Sequence, residues 1–548
     1  MCALQETKKQ NYLKGAAILA AASIFVKIIG AIYKIPIFNI LDEEGTGDFQ
    51  VTYNIYTLIL TIATAGIPVA LSRMVSAADA SGKTSLVKRY FSVALPAFSL
   101  IGVAAMLVMF FGADTFTGLL NNSLAAPGVR VLAPAVFFAC IIAVYRGYAQ
   151  GFGNMIPTAA SQVVEVICKA AFGIAAAMWL AGAGYESHIV SAGAILGVTV
   201  GLGLCVPLLV WYKKKLDREI PPGGDTSETP KWLGVFGKIM KVSIPITLSA
   251  SFMSIMVVVD MGIVLGRLQS ALMYTEQEAR ALYGLYTRGL TIYNLPPSIV
   301  VPISVSIVPA IAAALARRQS GEARGIMQSS IKLVNLIAMP AGAGLIVLAF
   351  PILAALYNDS NSLTGTVLMI LGAASVFVCI QYITTAILQA NGHERVSLIT
   401  FPIGAAIKIA IVYTLAGNPD FGIIGSPIGT LSCFVAISVL NITFILVRVK
   451  ERPKFGAVFI KPLFCSAAMA AVAYCVYNLL YWIGSGIIGT GRLAVVAYLA
   501  VTILVALAVY TVLIIITRTV TVEDMKLVPK GEKLSKLLRI RQAKKQEI

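Results

Sequence analysis

The sequence predicts an all-α polytopic membrane protein with fourteen transmembrane helices, as two parallel-related six-helix lobes plus two C-terminal helices. Three observations predict it. Apolar residues make up 58% of the 548-residue chain and charged residues only 12%, with a mean hydropathy of +0.85; soluble domains carry about 25% charged residues. Apolar runs recur at membrane length, which is ~20 residues for a helix. The loops between them alternate in charge. A chain this poor in polar residues cannot cover itself for water, so a soluble enzyme, a secreted disulfide scaffold and a disordered chain are excluded.

The runs fall at 13–38, 49–72, 90–112, 128–151, 156–181, 187–211, 240–265, 282–313, 326–350, 364–390, 396–416, 422–447, 459–482 and 493–516. Their Gly, Ala and internal Pro residues suit membrane helices, where neighbouring helices satisfy freed backbone groups. The polar N-terminus leads into the first run with no small-residue cleavage site, so span 1 is expected to remain in the mature protein.

The net charge of +18 reflects basic loops on one side of the membrane rather than a nucleic-acid partner. That side receives Lys8, Lys9 and Lys14; Lys83, Lys88 and Arg89; Lys213, Lys214, Lys215 and Arg218; Arg317, Arg318 and Arg324; Arg448, Lys450, Arg452 and Lys454; and a tail running from Lys526 to Lys545. The other side receives Asp42, Glu43, Glu44, Asp48, Asp114, Glu186, Asp359 and Asp420, with Arg267, Arg280 and Arg492 scattered among them. Basic loops stay in the cytoplasm, which places both termini inside a bacterial cytoplasmic membrane. The two histidines, His188 and His393, lie at segment edges, and the eight cysteines contain no C-x-x-C and read as packing residues beyond Cys2. No pattern calls for a metal, a cofactor or a catalytic residue.

An internal repeat organises the spans. Ser81-Gly82 and Ser320-Gly321, Gln150 and Gln389, and Lys169 and Lys408 each recur at an offset of 239 residues. The pair Gly193 and Gly197 recurs as Gly425 and Gly429 at 232, as expected if a loop shortened. Six spans is an even number, so the halves share an orientation, as in transporters built from parallel repeats with substrate bound between halves. The expected organisation is an N-lobe over 1–211, a cytoplasmic linker over 212–239 with the turn Pro221-Pro222-Gly223-Gly224, and a C-lobe over 240–447. Spans 13 and 14 follow within 448–516, then a basic cytoplasmic tail over 517–548.

Ionisable residues deep in a span cost about 2.5–3.5 kcal/mol to insert and are functional candidates. Lys27 lies near mid-depth in span 1, and Lys34 is on the same face toward the outer end, where it either snorkels or joins a cavity. Lys169 and Lys408 lie near mid-depth in spans 5 and 11, and Arg288 lies in the outer half of span 8 above Pro296, Pro297, Pro302 and Pro309. Glu165 is spaced to pair with Lys169 along one helix or to meet substrate or ion, whereas Lys408 has Gly404 at the corresponding position. Arg146, near the end of span 4, snorkels, pairs or contacts substrate. Asp260 is a candidate counter-ion or cation ligand. The unbalanced charge is positive, so a cavity built from it attracts an anion such as pyrophosphate or an acidic sugar.

The run Tyr53-Asn54-Ile55-Tyr56-Thr57-Leu58, then Ile62-Ala63-Thr64-Ala65-Gly66-Ile67-Pro68, resembles polysaccharide flippases related to stage V sporulation protein B. So do Arg146-Gly147 with Gln150-Gly151, and Pro157-Thr158-Ala159 leading to Ser161-Gln162-Val163-Val164-Glu165. The chain looks like a MurJ-like member of the multidrug/oligosaccharidyl-lipid/polysaccharide exporter superfamily. The resemblance implies an alternating-access flippase for lipid II, the undecaprenyl-pyrophosphate-linked peptidoglycan precursor, and not an enzyme. It implies that Lys27 and Arg288 bind the pyrophosphate, with Lys34 close to a second basic position. Asn54 stands near a basic position of span 2 that this chain lacks. Asp260 resembles one acid of a sodium site, but span 11 has Lys408 and no acid. Spans 13 and 14 line a groove for the lipid tail in these relatives.

The partners implied are a lipid-linked anionic oligosaccharide and membrane lipid, with the chain a monomer. Alternatives are a flippase for another polyprenyl-linked polysaccharide unit and a multidrug/cation antiporter, which needs an acidic cavity. A membrane glycosyltransferase would require a cluster of Asp or Glu in a sizeable loop.

Overall fold

A computed structural model describes residues 21–519 except 24, 220–229, 360, 451, 454, 487, 488 and 518. Cys2, Lys8, Lys9, Lys14, the turn Pro221–Gly224, Lys454 and the tail cations from Lys526 onward lie outside the described residues. Those described form helices and connecting turns, with no strand among them.

The first part of the chain forms α1 (Ala21–Ile40), α2 (Glu43–Thr64), α3 (Ile67–Ala80), α4 (Thr84–Phe111), α5 (Ala126–Gly151), α6 (Ile156–Gly182), α7 (Ser187–Glu219), α8 (Trp232–Ser270) and α9 (Glu276–Tyr293). Then come α10 (Leu295–Ala316), α11 (Ser320–Val347), α12 (Ala349–Tyr357), α13 (Ser362–Ala390), α14 (Ser397–Leu415), α15 (Gly425–Arg448), α16 (Phe455–Ser485) and α17 (Arg492–Ile516). Local chemistry sets several boundaries. The Asp42 carboxylate accepts from Gly45 N–H at 2.7 Å and caps α2, with Glu43 and Glu44 in the first turn. Thr275 and Glu278 form a capping box at the start of α9.

Among the described residues, thirteen helices are long and apolar enough to cross a membrane. The expected span 282–313 is not one of them, so these thirteen fall one short of the fourteen expected. That segment is two helices, α9 and α10, meeting at Asn294. Pro296 sits in the first turn of α10, where a missing N–H is harmless; in a continuous helix it would remove a bond and clash with the preceding turn.

The helices divide into two compact units, Met1–Thr287 and Arg288–Ile548. In the first, Leu71 and Val75 of α3, Phe91 and Phe98 of α4, Val144 and Tyr148 of α5, and Val235 and Ile239 of α8 form one buried cluster. Helix α8 packs on α2, α3 and α4, so this unit extends beyond the linker read from the sequence. Helices α2 and α9 cross at Gly47 and Gly284, where a Cβ would come within 2.4 Å of Arg280 O and 1.8 Å of Glu43 O respectively. Only glycine permits that approach. In the second unit, Ile307 and Ile311 of α10, Ile331 and Val334 of α11, Ile383 and Ile387 of α13, and Ile445 of α15 form one cluster. Met469, Leu499 and Tyr510 anchor a second, between α16 and α17. Of the described cysteines, Cys140, Cys205, Cys379, Cys433 and Cys465 are buried packing residues and Cys475 is exposed.

The repeated residues make matching local contacts. A Cβ on Gly197 of α7 would meet Lys169 O of α6 at 2.4 Å, and one on Gly429 of α15 would meet Lys408 O of α14 at 3.3 Å. Likewise Gly193 faces Ala176 O of α6 at 3.6 Å, and Gly425 faces Leu415 Cβ of α14 at 2.8 Å.

Candidate functional site

The 3.6-residue period puts Ser23, Lys27, Gly30 and Lys34 on one face of α1. That face meets α6: the Ser23 hydroxyl donates to Gln162 Oε1 at 3.5 Å, and Gly30 lies against Val166. Lys27, between them, is exposed. Gln50, Tyr53 and Asn54 share one face of α2 by the same spacing. Lys34 Nζ donates to Gln50 Oε1 at 3.4 Å, and Gln50 Nε2 donates to Asn54 Oδ1 at 2.7 Å.

Lys169 of α6 joins this group. Its ammonium donates to Tyr53 Oη at 3.4 Å and lies 4.7 Å from the ring centroids of both Tyr33 and Tyr53. Lys34 Nζ lies 5.6 Å from the Tyr53 centroid. Two ammonium groups therefore share one tyrosine ring, and neither forms an ion pair among the described residues. Cation–π contact steadies such charges by about 0.5–2 kcal/mol without neutralising them.

The expected pairing of Glu165 with Lys169 is corrected. Glu165 accepts from Arg146 Nη2 of α5 at 3.1 Å, while Arg146 Nε donates to Ser161 Oγ at 2.9 Å. A guanidinium on a neighbouring helix offers a directed donor that the lysine, turned toward α1 and α2, does not. Glu165 and Arg146 cancel, and Lys169 keeps its charge. Asn54 also donates to Met261 Sδ at 3.4 Å, and Asp260, on the same helix as Met261, is buried.

Two buried arginines behave differently. Arg280 Nε and Nη2 donate to the two carboxylate oxygens of Asp48 at 2.8 and 2.5 Å, and Asn122 Nδ2 adds a third bond at 3.0 Å. Arg280 is thus not a scattered loop cation. In the C-terminal unit, Arg288 Nη1 donates to Asp359 Oδ2 at 3.2 Å, and its guanidinium lies 5.9 Å from the Tyr357 ring centroid. Lys408 is half-buried, its stem packed near Gly429.

The structure therefore joins Lys34 and Asn54 through Gln50 and takes Glu165 away to Arg146. Sequence reasoning missed the Tyr33 and Tyr53 shelf. Its signal was the Gln50, Tyr53, Asn54 spacing, inside a motif already singled out for its resemblance.

The C-terminal unit also contains an apolar cavity of about 480 Å³, lined by Leu295 and Ile299 of α10, Leu336 and Leu345 of α11, Met469 of α16 and Leu507 of α17.

Residues 12–315 match the family described as polysaccharide biosynthesis protein. Stage V sporulation protein B of Bacillus subtilis is 24% identical over 95% of this chain and 98% of its own length. Lipid II flippase MurJ of the same organism is 23% identical over 73% of this chain and 76% of its own. Among solved structures, lipid II flippase MurJ in an inward closed conformation superposes with a TM-score of 0.63 at 16% identity, covering 92% of this chain and 98% of that one.

Proposed function

Because the chain belongs to the polysaccharide biosynthesis protein family, we propose that it is a flippase that moves an anionic, undecaprenyl-pyrophosphate-linked glycan across the bacterial cytoplasmic membrane by alternating access. The glycan in this reading is the peptidoglycan precursor lipid II. The observation that carries it is the pair of ammonium groups, Lys34 and Lys169, resting on Tyr53 with no carboxylate partner among the described residues. Buried or half-buried cations without counter-ions attract an anion, and a diphosphate offers enough acceptor oxygens for several of them.

In this reading Lys34 and Lys169 hold the diphosphate, with Lys27 on the same face of α1 guiding it in. Arg288 exchanges Asp359 for a phosphate oxygen, and Lys408 adds longer-range attraction. Asn54 orients Gln50, and Asp260 serves as counter-ion for the cluster. The cavity lined by α10, α11, α16 and α17 takes part of the polyprenyl tail, because its walls are aliphatic. Both termini lie in the cytoplasm, where the precursor is made.

The test is depletion of the protein, with analysis of which lipid-linked intermediate accumulates in the inner leaflet. Reconstitution in vesicles with fluorescent lipid II then measures its arrival outside. Accumulation of lipid II, restored by the wild-type chain and not by a Lys34→Ala, Lys169→Ala double variant, supports the reading; normal lipid II turnover overturns it. A second reading, another polyprenyl-linked polysaccharide unit, is favoured by the longer match to stage V sporulation protein B than to MurJ. It predicts that a different intermediate accumulates.

A further inference from the structure

A second cavity, of about 360 Å³, lies wholly within the C-terminal unit, at the end of α11 and α12 opposite the basic turn at Arg317 and Arg318. Its walls are the turn after α12, with Asn358, Asp359 and Asn361; the α16 side chains Tyr477 and Tyr481; and Arg492 at the start of α17. The Tyr477 and Tyr481 rings are nearly parallel, with centroids 6.2 Å apart and an interplanar angle of 24°. They form a shelf one helical turn long. Arg492 donates to the Ala355 and Leu356 carbonyls at 3.0 and 2.7 Å, closing the C-terminus of α12. Asn358 closes the same helix in the left-handed region, with φ +53°. Its amide and the two tyrosine hydroxyls make no hydrogen bond to other described residues.

The lining narrows the ligand class. An aromatic shelf suits the C–H face of a sugar ring, and amide, carboxylate and guanidinium groups around it suit the rim of hydroxyls. The fixed charges, Asp359 and Arg492, are opposite in sign, so the site favours a neutral polyol over a free phosphate. Asp359 is also the carboxylate bound by Arg288, 3.2 Å away, so the cavity begins one side chain from that guanidinium.

We propose that this cavity binds the first sugar ring of the lipid-linked glycan, with Tyr477 and Tyr481 against its C–H face and Asn358, Asp359 and Arg492 on its hydroxyls. The proposal rests on the flippase reading above, in which Arg288 meets the diphosphate. In such a lipid the first sugar is bonded directly to the diphosphate, so its site must adjoin the diphosphate site. Asp359 makes the two contiguous. When Arg288 turns to phosphate, Asp359 loses its cation, and a buried carboxylate then needs other donors. Sugar hydroxyls supply them. The two events therefore favour each other, and a diphosphate without a sugar is held less well.

The experiment uses the full chain in lipid nanodiscs and two probes, farnesyl diphosphate and farnesyl-diphosphate-linked N-acetylglucosamine. The wild type is expected to bind the sugar-bearing probe more tightly. Tyr481→Ala should weaken that probe roughly fivefold to tenfold and leave farnesyl diphosphate unchanged. Asn358→Gly removes the amide at a position where glycine is at ease, so it keeps the fold and should weaken only the sugar-bearing probe, by about threefold. Arg288→Ala should weaken both. Equal binding of the two probes by the wild type, or equal losses on both in Tyr481→Ala and Asn358→Gly, overturns the sugar site while leaving the diphosphate reading intact. Failure of the wild type to bind either probe overturns that reading and the sugar site with it.

Discussion

Cations are held in two ways in this protein. Arg280 and Arg288 each face a buried aspartate, Asp48 and Asp359, at 2.5 and 3.2 Å. Lys34 and Lys169 rest on the tyrosine rings of α1 and α2 with no carboxylate at ion-pair distance among the described residues. A buried ion pair is satisfied: its charges cancel, and removing one partner strands the other. A lysine on an aromatic face keeps most of its charge for something else. On the proposed reading Arg280 holds structure together, Arg288 does so until it meets the diphosphate, and the lysines without a carboxylate meet the ligand first. Each variant below tests which description fits.

The largest effect on stability is expected at the Arg280–Asp48 pair. Asp48 accepts both arginine nitrogens and Asn122, and is 1% exposed. Asp48→Ala leaves the buried guanidinium only the more distant Glu44, at 3.7 Å, at a cost of about 3–5 kcal/mol. Thermal unfolding of the purified protein should show a pronounced drop. A melting temperature within a degree or two of wild type would mean that the pair is open in membranes, and the contrast with the lysines would collapse.

Arg288 and Asp359 should come second, because one hydrogen bond joins them and not two. Asp359→Ala is expected to cost about 2–3 kcal/mol. The double replacement Arg288→Met, Asp359→Leu should recover most of that stability, since no charge is left stranded. It should not recover flipping of fluorescent lipid II. Recovery of both would make Arg288 purely structural and remove it from the proposed diphosphate site.

These pairs also mark where the sequence was legible. Composition and run length sufficed for a polytopic helical protein, because hydropathy summed over ~20 residues is insensitive to detail. The same summing hid the break at Asn294, where two prolines start a new helix inside one apolar run. Spacing placed Lys34 with Lys27 and suggested Lys169 with Glu165, because the i, i+4 rule sees only one helix. Arg146 lies on another helix and wins the carboxylate. Nothing local to Arg280 or Asp48 announced their pairing, which spans 232 residues of chain.

The lysines invert the expected pattern. Lys34→Met or Lys169→Met should change the melting temperature less than either aspartate replacement, since each loses two cation–π contacts and a 3.4 Å hydrogen bond but no ion pair. Binding of farnesyl diphosphate should fall about tenfold for each. Large destabilisation with unchanged binding would reverse their assignment and leave the anion site unsupported.

The smallest effect is expected at Lys408, and it sharpens the comparison most. The repeat makes Lys408 the counterpart of Lys169, and both backbones lie against a glycine of the following helix. The 239-residue offset that relates them puts Ile292 where Tyr53 stands. Isoleucine has no π face, so the ring that steadies the Lys169 ammonium has no equivalent at that position. An ammonium without that ring is expected to hold the anion less directly, through an attraction that salt weakens. Lys408→Met should therefore weaken farnesyl diphosphate binding only about twofold to threefold, and the difference should vanish in high salt. The Lys169→Met loss should persist there, because a contact ion pair is screened less. If Lys408→Met costs as much as Lys169→Met at high salt, the tyrosine shelf is not what fixes the anion, and the proposed site must be redrawn around Lys408.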